Sequence, residues 1–483
     1  MTLRAPLNEG SLSRYDGSRA DVSATIAVAA ITRAREKGPP MQTQVTRRRF
    51  LAATTAAGVG LTLGRARGAA AEKPALLGGK PVRTEPFPSW PVFDQSEEQA
   101  LLHTVRSAQW FRGGGKNVNR FEEAYAELMG AKFCVGTSSG TSALLTSLNA
   151  LGVGPGDEVI LPPYTFVACV NAILMLNALP VFVDTDPETF QIDPRKIEAA
   201  ITGRTAAIMP VHLGGNPASL DAILALARQH KLAVVEDACQ AHLAEWRQRK
   251  VGTYGDTGCF SFQASKNLTA GEGGAILTAN AELAEKCFAA SNNSHPRKVA
   301  GSNQHLLRGA NLRMSEFHAS LLMTQMARLP EQARIREQNA DYLTTLLREI
   351  PGILPARPHD GCTRNAYHLY LFRYQKEHFA DLPRNHFLKA LSAEGIPASA
   401  GYTPLNKEPF IQQTLQSRGY RASYSAERLA RWEEQNHCPA NDQLCEEGAW
   451  LYQSVLLAKR SDMEQIVGAV RKIRAHAPLL AKG

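Results

Sequence analysis

The sequence predicts an α/β fold: a mostly parallel sheet covered by helices in a large domain, followed by a smaller C-terminal α+β domain. Three observations lead there. Short runs rich in Val and Ile alternate with helix-like segments from residue 133 to residue 278. Polar and charged residues gather just past the ends of those runs. After residue 350 the alternation gives way to mixed strand and helix signals. Strands separated by helix-length segments read as βαβ units, and near-continuous apolar strands belong to a sheet buried on both faces.

Taken in order, Leu76 to Pro91 is an extended, Pro-containing arm. Apolar residues recur at helical spacing in Glu97 to Ser107 (Leu101, Leu102, Val105) and in Val118 to Met129 (Phe121, Tyr125, Leu128). The strand Phe133 to Ser139 leads into TSALLTSLNALG, and EVILPPYTFV leads into ACVNAILMLNAL. PVFVDTD, AAIMPVHLG and AVVEDA are further strands, with a helix from Ser219 to His230 before the last. Helices are expected over Ala281 to Ser291, Ser315 to Arg328 and Leu329 to Ile350. Beyond Pro351, Tyr367 to Tyr374 reads as a strand, and Phe387 to Glu394 and Asp462 to His476 as helices. The expected division is a leader over 1–71, an arm and large domain over 72–350, and a small domain over 351–483.

Composition narrows the function classes. With 44% hydrophobic and 20% charged residues, 483 residues suffice for a large core and a second domain. The net charge of +9 is misleading, because residues 1–71 hold eleven Arg and Lys against four acids and so carry +7 of it. The remaining +2 argues against a basic body that binds nucleic acid. Eight cysteines without a CxxC pair suggest neither a disulfide framework nor a zinc site, and no metal is expected.

In the leader, Thr46-Arg47-Arg48-Arg49-Phe50-Leu51 precedes a small-residue apolar run to Leu63, and Ala69-Ala70-Ala71 offers a cleavage site. The pattern resembles a twin-arginine export signal, which implies the export machinery as a partner, folding before export, and a mature start near Glu72. The run is too short for a stable membrane span. Met41 is a possible start, which leaves translation of residues 1–40 open.

The chemistry centres on Gly258 to Gly274, GCFSFQASKNLTAGEGG. Lys266 follows the apolar residues Cys259, Phe260 and Phe262 and precedes a Gly-Glu-Gly-Gly turn. Burial among such neighbours lowers an amine's pKa, and a neutral amine attacks an aldehyde to give a Schiff base. Alone, the segment is more simply a solvated lysine in a Gly-rich turn. Three others change its meaning. Ser138-Ser139-Gly140-Thr141-Ser142 lies at a strand-to-helix junction, where free N–H groups and hydroxyls cradle phosphate; a plain N-cap is the alternative. Asp237 closes an apolar strand, so its carboxylate needs a cation such as a protonated pyridine nitrogen, with Gln240 one turn on; a helix-capping Asp is the alternative. Phe166, after Pro162-Pro163-Tyr164, could lie on a flat ring or fill the core. The order cradle, aromatic, carboxylate and then lysine, 29 positions after Asp237, is far more specific than any member.

On these residues the chain resembles the DegT/StrS family of pyridoxal phosphate-dependent sugar aminotransferases, of the aspartate-aminotransferase-like fold, from about Gly78 to the C-terminus. The segments that carry the resemblance are SSGTSAL, GPGDEVILPPYTFVA, VEDACQAH, SFQASKNLTAGEGGAI and GANLRMSEFHAS. LGGKPVR, QWFRGGG and the Cys438-Pro439 region look most like the branch acting on cyclitols and aminohydroxybenzoate precursors. The resemblance implies that Lys266 forms the Schiff base with pyridoxal 5'-phosphate and shuttles the proton, and that Asp237 pairs with the ring nitrogen. It further implies that Gln240 approaches the ring hydroxyl and Phe166 stacks on the ring. Thr141, Ser142 and Ser261 would contact the phosphate, as would Asn311 from the neighbouring subunit of a homodimer. Leu312 stands where the family usually has Tyr, and Phe317 to Ser320 depart from its Gln-Ala-Ala. The implied reaction moves an amino group from Glu or Gln to a keto sugar or keto cyclitol. His295, His368 and Tyr402 are candidates for the substrate pocket. Two rivals stay open: a dehydratase or lyase of the aminohydroxybenzoate-forming type, and a non-catalytic exported paralogue.

Overall fold

Seven strands build the principal sheet: Phe133–Thr137 (β1), Glu158–Leu161 (β2), Leu179–Phe182 (β3), Thr205–Ile208 (β4), Ala233–Asp237 (β5), Thr257–Ser261 (β6) and Gly274–Thr278 (β7). They lie in the order β1-β7-β6-β5-β4-β2-β3, and only β7 runs against its neighbours. This computed structural model describes residues 72–297 and 305–482, so the leader and its export signal lie outside the described residues. Among the described residues no helix is long and apolar enough to cross a membrane.

The helices that matter to the site are Gln95–Ser107 (α1), Asn117–Met129 (α2), Gly140–Ala150 (α3), Ala168–Leu174 (α4), Leu220–His230 (α5), Ala281–Ser291 (α6) and Glu316–Leu347 (α7). Their starts follow local chemistry. The Asp94 side chain accepts from Ser96 N–H while Glu97 reaches back to Asp94 N–H, a reciprocal cap on α1. Ser139, Asn280 and Ser315 cap α3, α6 and α7. The two helical segments expected on either side of residue 329 are one 32-residue helix that continues through Pro330. Its apolar positions Leu322, Leu329, Ala333, Ala340 and Leu343 are buried, and that packing outweighs the missing N–H of one proline.

A second, antiparallel sheet holds Ile353–Pro355 (β8), Leu369–Tyr374 (β9), Ala398–Ala400 (β10) and Gly448–Tyr452 (β11), in the order β8-β9-β11-β10. Arg384–Ala393 (α8) and Arg460–Ala475 (α9) cover it. Leu77, Val82 and Phe87 of the arm pack on the same core.

Side chains of residues 405–445 pack on the core of the seven-stranded sheet. Short helices there protect the open edge of β3. Trp432 Nε1 donates to Pro180 O at 2.8 Å, Tyr420 OH to Ala178 O at 2.7 Å, and Phe182 N to Asn436 Oδ1 at 2.5 Å. An edge whose donors and acceptors are occupied by side chains no longer invites another strand.

Candidate active site

The register of three strands assembles one wall of the site. Gly274 of β7 lies opposite both Thr137 of β1 and Ser261 of β6, so the chain leaving β1 passes beside Ser261. A Cβ at Gly274 would lie 2.2 Å from Ser139 O, and one at Gly140 would lie 2.7 Å from Ser261 Cβ and 2.9 Å from Cys239 Sγ. Only glycine allows either approach. The first turn of α3 thus meets the ends of β5 and β6 at the carboxyl edge of the sheet, where open α/β sheets hold ligands.

There a cavity of about 510 Å³ is lined by Ser139, Thr141, Phe166, Asp237, Gln240, Ser261, Lys266, His368 and Tyr402, among others. Eight of the sequence-derived candidates therefore converge, Thr141, Phe166, Asp237, Gln240, Ser261, Lys266, His368 and Tyr402. Phe166, 56% exposed just before α4, presents its ring to the cavity instead of filling the core. Ser142 is buried beneath the lining, and its hydroxyl lies 2.9 Å from those of Ser138 and Ser139, so it braces the cradle. Asn311 and His295 lie elsewhere. Asn311 is exposed and bridges to Asn292 on the outer side of β1. His295, just past α6, lines a different cavity of about 1090 Å³ with Arg112, Glu122, Arg297, His305 and Arg313.

Asp237 is held from all sides. Its N–H donates to Pro210 O at 2.9 Å and its carbonyl accepts from His212 N at 3.0 Å. Oδ1 accepts from Cys239 N at 3.0 Å, and Oδ2 from the Cys169 thiol at 2.8 Å. Burial, then the nearby Asp237 charge, pushes the Cys169 thiol well above its ordinary value, so it remains a donor. Behind Asp237, Glu236 and His212 form a wholly buried pair at 2.9 Å. Ala218 N–H donates to His212 Nδ1, so Nε2 carries the proton that Glu236 receives. Burial opposes the Glu236 charge, yet His212 and the N–H groups of Gly252 and Gly255 hold its carboxyl below the usual range.

At the other side of the cavity, burial lowers the pKa of Lys266 below that of an ordinary lysine; Cys239, Asp237 and Cys169 partly oppose the shift. This is the direction that supplies a neutral amine. His368 is also kept neutral, by burial and then by Lys266, and its Nδ1 lies 3.2 Å from Asn267 Oδ1. Gln240 accepts from Gly214 N at 2.7 Å and donates to Tyr402 OH at 3.2 Å, which fixes its amide against the cavity.

Two supports escaped the sequence reading. Cys169 touches Asp237 across 68 positions, and nothing local marks it. His242 stands in the VEDACQAH segment without an assigned role. Its Nε2 donates to Ser261 O at 2.9 Å while Tyr125 OH donates to Nδ1 at 2.9 Å, and burial lowers its pKa to about 4.

These groups suit a flat, phosphorylated heteroaromatic aldehyde. Hydroxyls and a helix start meet an anion, a buried carboxylate meets a ring cation, and a neutral amine meets a carbonyl. The glycines at 140 and 274 leave the cradle the space that a Cβ would fill.

Comparison with known proteins agrees. Residues 93–471 match the DegT/DnrJ/EryC1/StrS aminotransferase family. An L-glutamine:2-deoxy-scyllo-inosose aminotransferase of Streptoalloteichus tenebrarius is 38% identical over 418 residues, covering 83% of this chain and 97% of that protein. A 3-amino-5-hydroxybenzoate synthase of Amycolatopsis mediterranei is 34% identical over 379 residues, covering 78% and 94%. The crystal structure of a 3-amino-5-hydroxybenzoic acid synthase superposes with a TM-score of 0.73 at 33% identity, covering 82% of this chain and all of that one.

Proposed function

The chain belongs to the DegT/DnrJ/EryC1/StrS aminotransferase family, and we propose that it uses pyridoxal 5'-phosphate to move an amino group from glutamine to a keto cyclitol. The observation that carries this reading is that the Lys266 amine and the Asp237 carboxylate line one cavity together with the Ser139, Thr141 and Ser261 hydroxyls. When bound, the cofactor supplies an electron sink for the carbon that loses or gains a proton.

The chain's own residues do the rest. Ser139, Thr141, Ser261 and the N–H groups of the first turn of α3 would hold the phosphate. Asp237, which accepts from the Cys169 thiol and the Cys239 N–H, would hold the ring nitrogen of the cofactor. Phe166 would lie against the cofactor, Gln240 and Tyr402 would hold its hydroxyl side, and Lys266 would supply the amine that attaches it and the base for the proton. His368 and Tyr402 shape the pocket in which the keto substrate is held.

Glutamine is preferred to glutamate because the similar aminotransferase is named for L-glutamine, and a keto cyclitol because it is named for 2-deoxy-scyllo-inosose. The active unit is a homodimer in which Asn311, exposed in its own subunit, reaches the phosphate of the neighbouring subunit. The leader directs the folded enzyme to twin-arginine export.

The test uses purified protein loaded with pyridoxal 5'-phosphate. Addition of L-glutamine is expected to give the amine form of the cofactor, and 2-deoxy-scyllo-inosose, offered in a panel with keto sugars, to restore the aldehyde form. No amine form with either glutamine or glutamate overturns the reading. The likeness to 3-amino-5-hydroxybenzoic acid synthase favours a second one, a lyase; it gains if substrate is consumed without release of a keto acid.

A further inference from the structure

The turn that carries Lys266 lies outside the strand ladder. Phe262 N donates to Gly273 O, Ala264 N to Gly271 O, and Lys266 N to Gln263 O, each at 2.9 Å. Bonds also come from far away: Asn267 Nδ2, one residue past Lys266, donates to Ala366 O at 2.8 Å. The indole N–H of Trp90 donates at 2.9 Å to the carbonyl of Ala264, two residues before Lys266 and 174 positions from Trp90.

Trp90 is itself seated on a buried cation. The Arg336 guanidinium lies over its ring, 5.2 Å from the centroid. Arg336 is wholly buried and pairs with no carboxylate among the described residues. Its Nε and Nη2 both donate to Gln453 Oε1, at 2.9 and 2.6 Å, and Nη1 has no partner. A cation on the ring face withdraws electron density and makes the indole N–H a better donor. Arg336 stands eleven residues after Gln325 on α7, close to three full turns, so both face the arm. Gln325 Nε2 donates to Val92 O at 2.9 Å, fixing the chain just past Trp90.

The other end of the arm is tied to the second sheet's helices. Glu394, directly after α8, accepts from Ala75 N at 2.8 Å, Val82 N at 2.9 Å and Lys472 Nζ at 3.0 Å. Arg83 donates to Asp462 at 2.7 Å and to Gln465 at 2.8 Å on α9. The arm thus runs from a buried ion pair beside α8 to the lysine turn.

We propose that Trp90, seated on Arg336, is a positioning residue for Lys266: its N–H fixes the Ala264 carbonyl and with it the direction from which the amine enters the cavity. This deepens the reading above and rests on Lys266 being the cofactor lysine. Arg336 supports Trp90 and touches no reacting atom.

The test compares cofactor-loaded parent, Trp90→Phe and Trp90→Ala. Phenylalanine keeps a ring over Arg336 and loses only the donor. For Trp90→Phe the expected results are a melting temperature within about 2 °C of the parent, several-fold faster amide hydrogen exchange confined to 262–271, and a donor half-reaction slowed about fivefold with KM for glutamine little changed. Trp90→Ala should show the same pattern more strongly. Parent-like exchange over 262–271 in Trp90→Phe overturns the proposal. So does a uniform rise in exchange with a lowered melting temperature, which marks a general packing role. Borohydride reduction of the parent separates the two claims. If the cofactor is fixed to a residue other than Lys266, the catalytic reading fails, whereas the exchange result still reports on the Trp90 contact.

Discussion

The two sides of the cavity are built differently. Asp237 ends an inner strand, and its N–H, its carbonyl and both carboxylate oxygens have partners within the fold. Lys266 sits on a turn whose residues Ala264 and Ser265 are exposed and whose shape depends on a few local bonds, the Trp90 contact and the Asn267 bonds to Ala366 and His368. A group that only has to hold a charge gains from a rigid ladder. On the proposed reading, the Lys266 amine binds a carbon, releases it and carries a proton, work that suits a segment outside the sheet that can adjust.

That contrast sets the order of expected effects. Lys266→Ala should lower amino transfer by about 10³-fold, the scale of losing a positioned nucleophile and base, and leave no cofactor attached after borohydride. Thermal melting should be near the parent's, since the substitution removes an amine whose charge burial disfavours and leaves Leu268 in the core. Asp237→Asn should lower transfer by about 10²-fold, as for loss of one preorganised charge, while borohydride still fixes the cofactor to Lys266. Attachment without turnover in one variant, and neither in the other, would establish that the two sides do separate work. Equal loss of attachment in both would break the distinction.

Acid tests the packing behind the site. Folding keeps His242 neutral with a pKa of about 4 against an ordinary 6.5. Between those values the unfolded chain takes up a proton that the folded one refuses. The contribution is therefore whole above about pH 6.5 and is lost as pH falls toward 4, by about 3 kcal/mol at most. His242→Gln keeps a donor for Ser261 O without that titration, so its melting temperature should fall less steeply from pH 7 to 4. Lys266 responds at the other end of the scale. Its lowered pKa makes burial of the ammonium unfavourable near neutrality, and stability gains as pH rises toward the ordinary lysine value.

What could be read from the sequence was what is local. The Val-rich runs and the helices between them gave the α/β class. Asp237 was legible because a carboxylate closes an apolar run, and the cradle because Ser and Gly residues stand where a strand meets a helix. Lys266 acquired meaning from that company. What depends on distant segments was not legible. The short helices of residues 405–445 have no long period, and their places are set by the open edge of β3. His295 follows α6 to the outer side of β1, which no pattern around it reveals. Ser142 and Thr141 are neighbours in sequence, yet one turn of α3 directs the first beneath the cradle and the second into the cavity.

The smallest effect bears on how the carboxylate side is held. The Cys169 thiol is wholly buried, 2.8 Å from Asp237 Oδ2 and 3.1 Å from the Thr165 hydroxyl. Burial keeps it protonated, so it serves as a neutral donor that orients the carboxylate without cancelling its charge. A neutral hydrogen bond of this kind contributes about 1 kcal/mol, which is roughly fivefold in rate. Cys169→Ala should therefore slow the donor half-reaction a few-fold and shift the pH dependence of the bound cofactor's absorption, because the freed oxygen binds the ring proton differently. Cys169→Ser, with a shorter but competent donor, should remain close to the parent in both. If alanine and serine behave alike, the thiol is only filling space, and the carboxylate side is held by the backbone bonds of Asp237 and the Cys239 N–H.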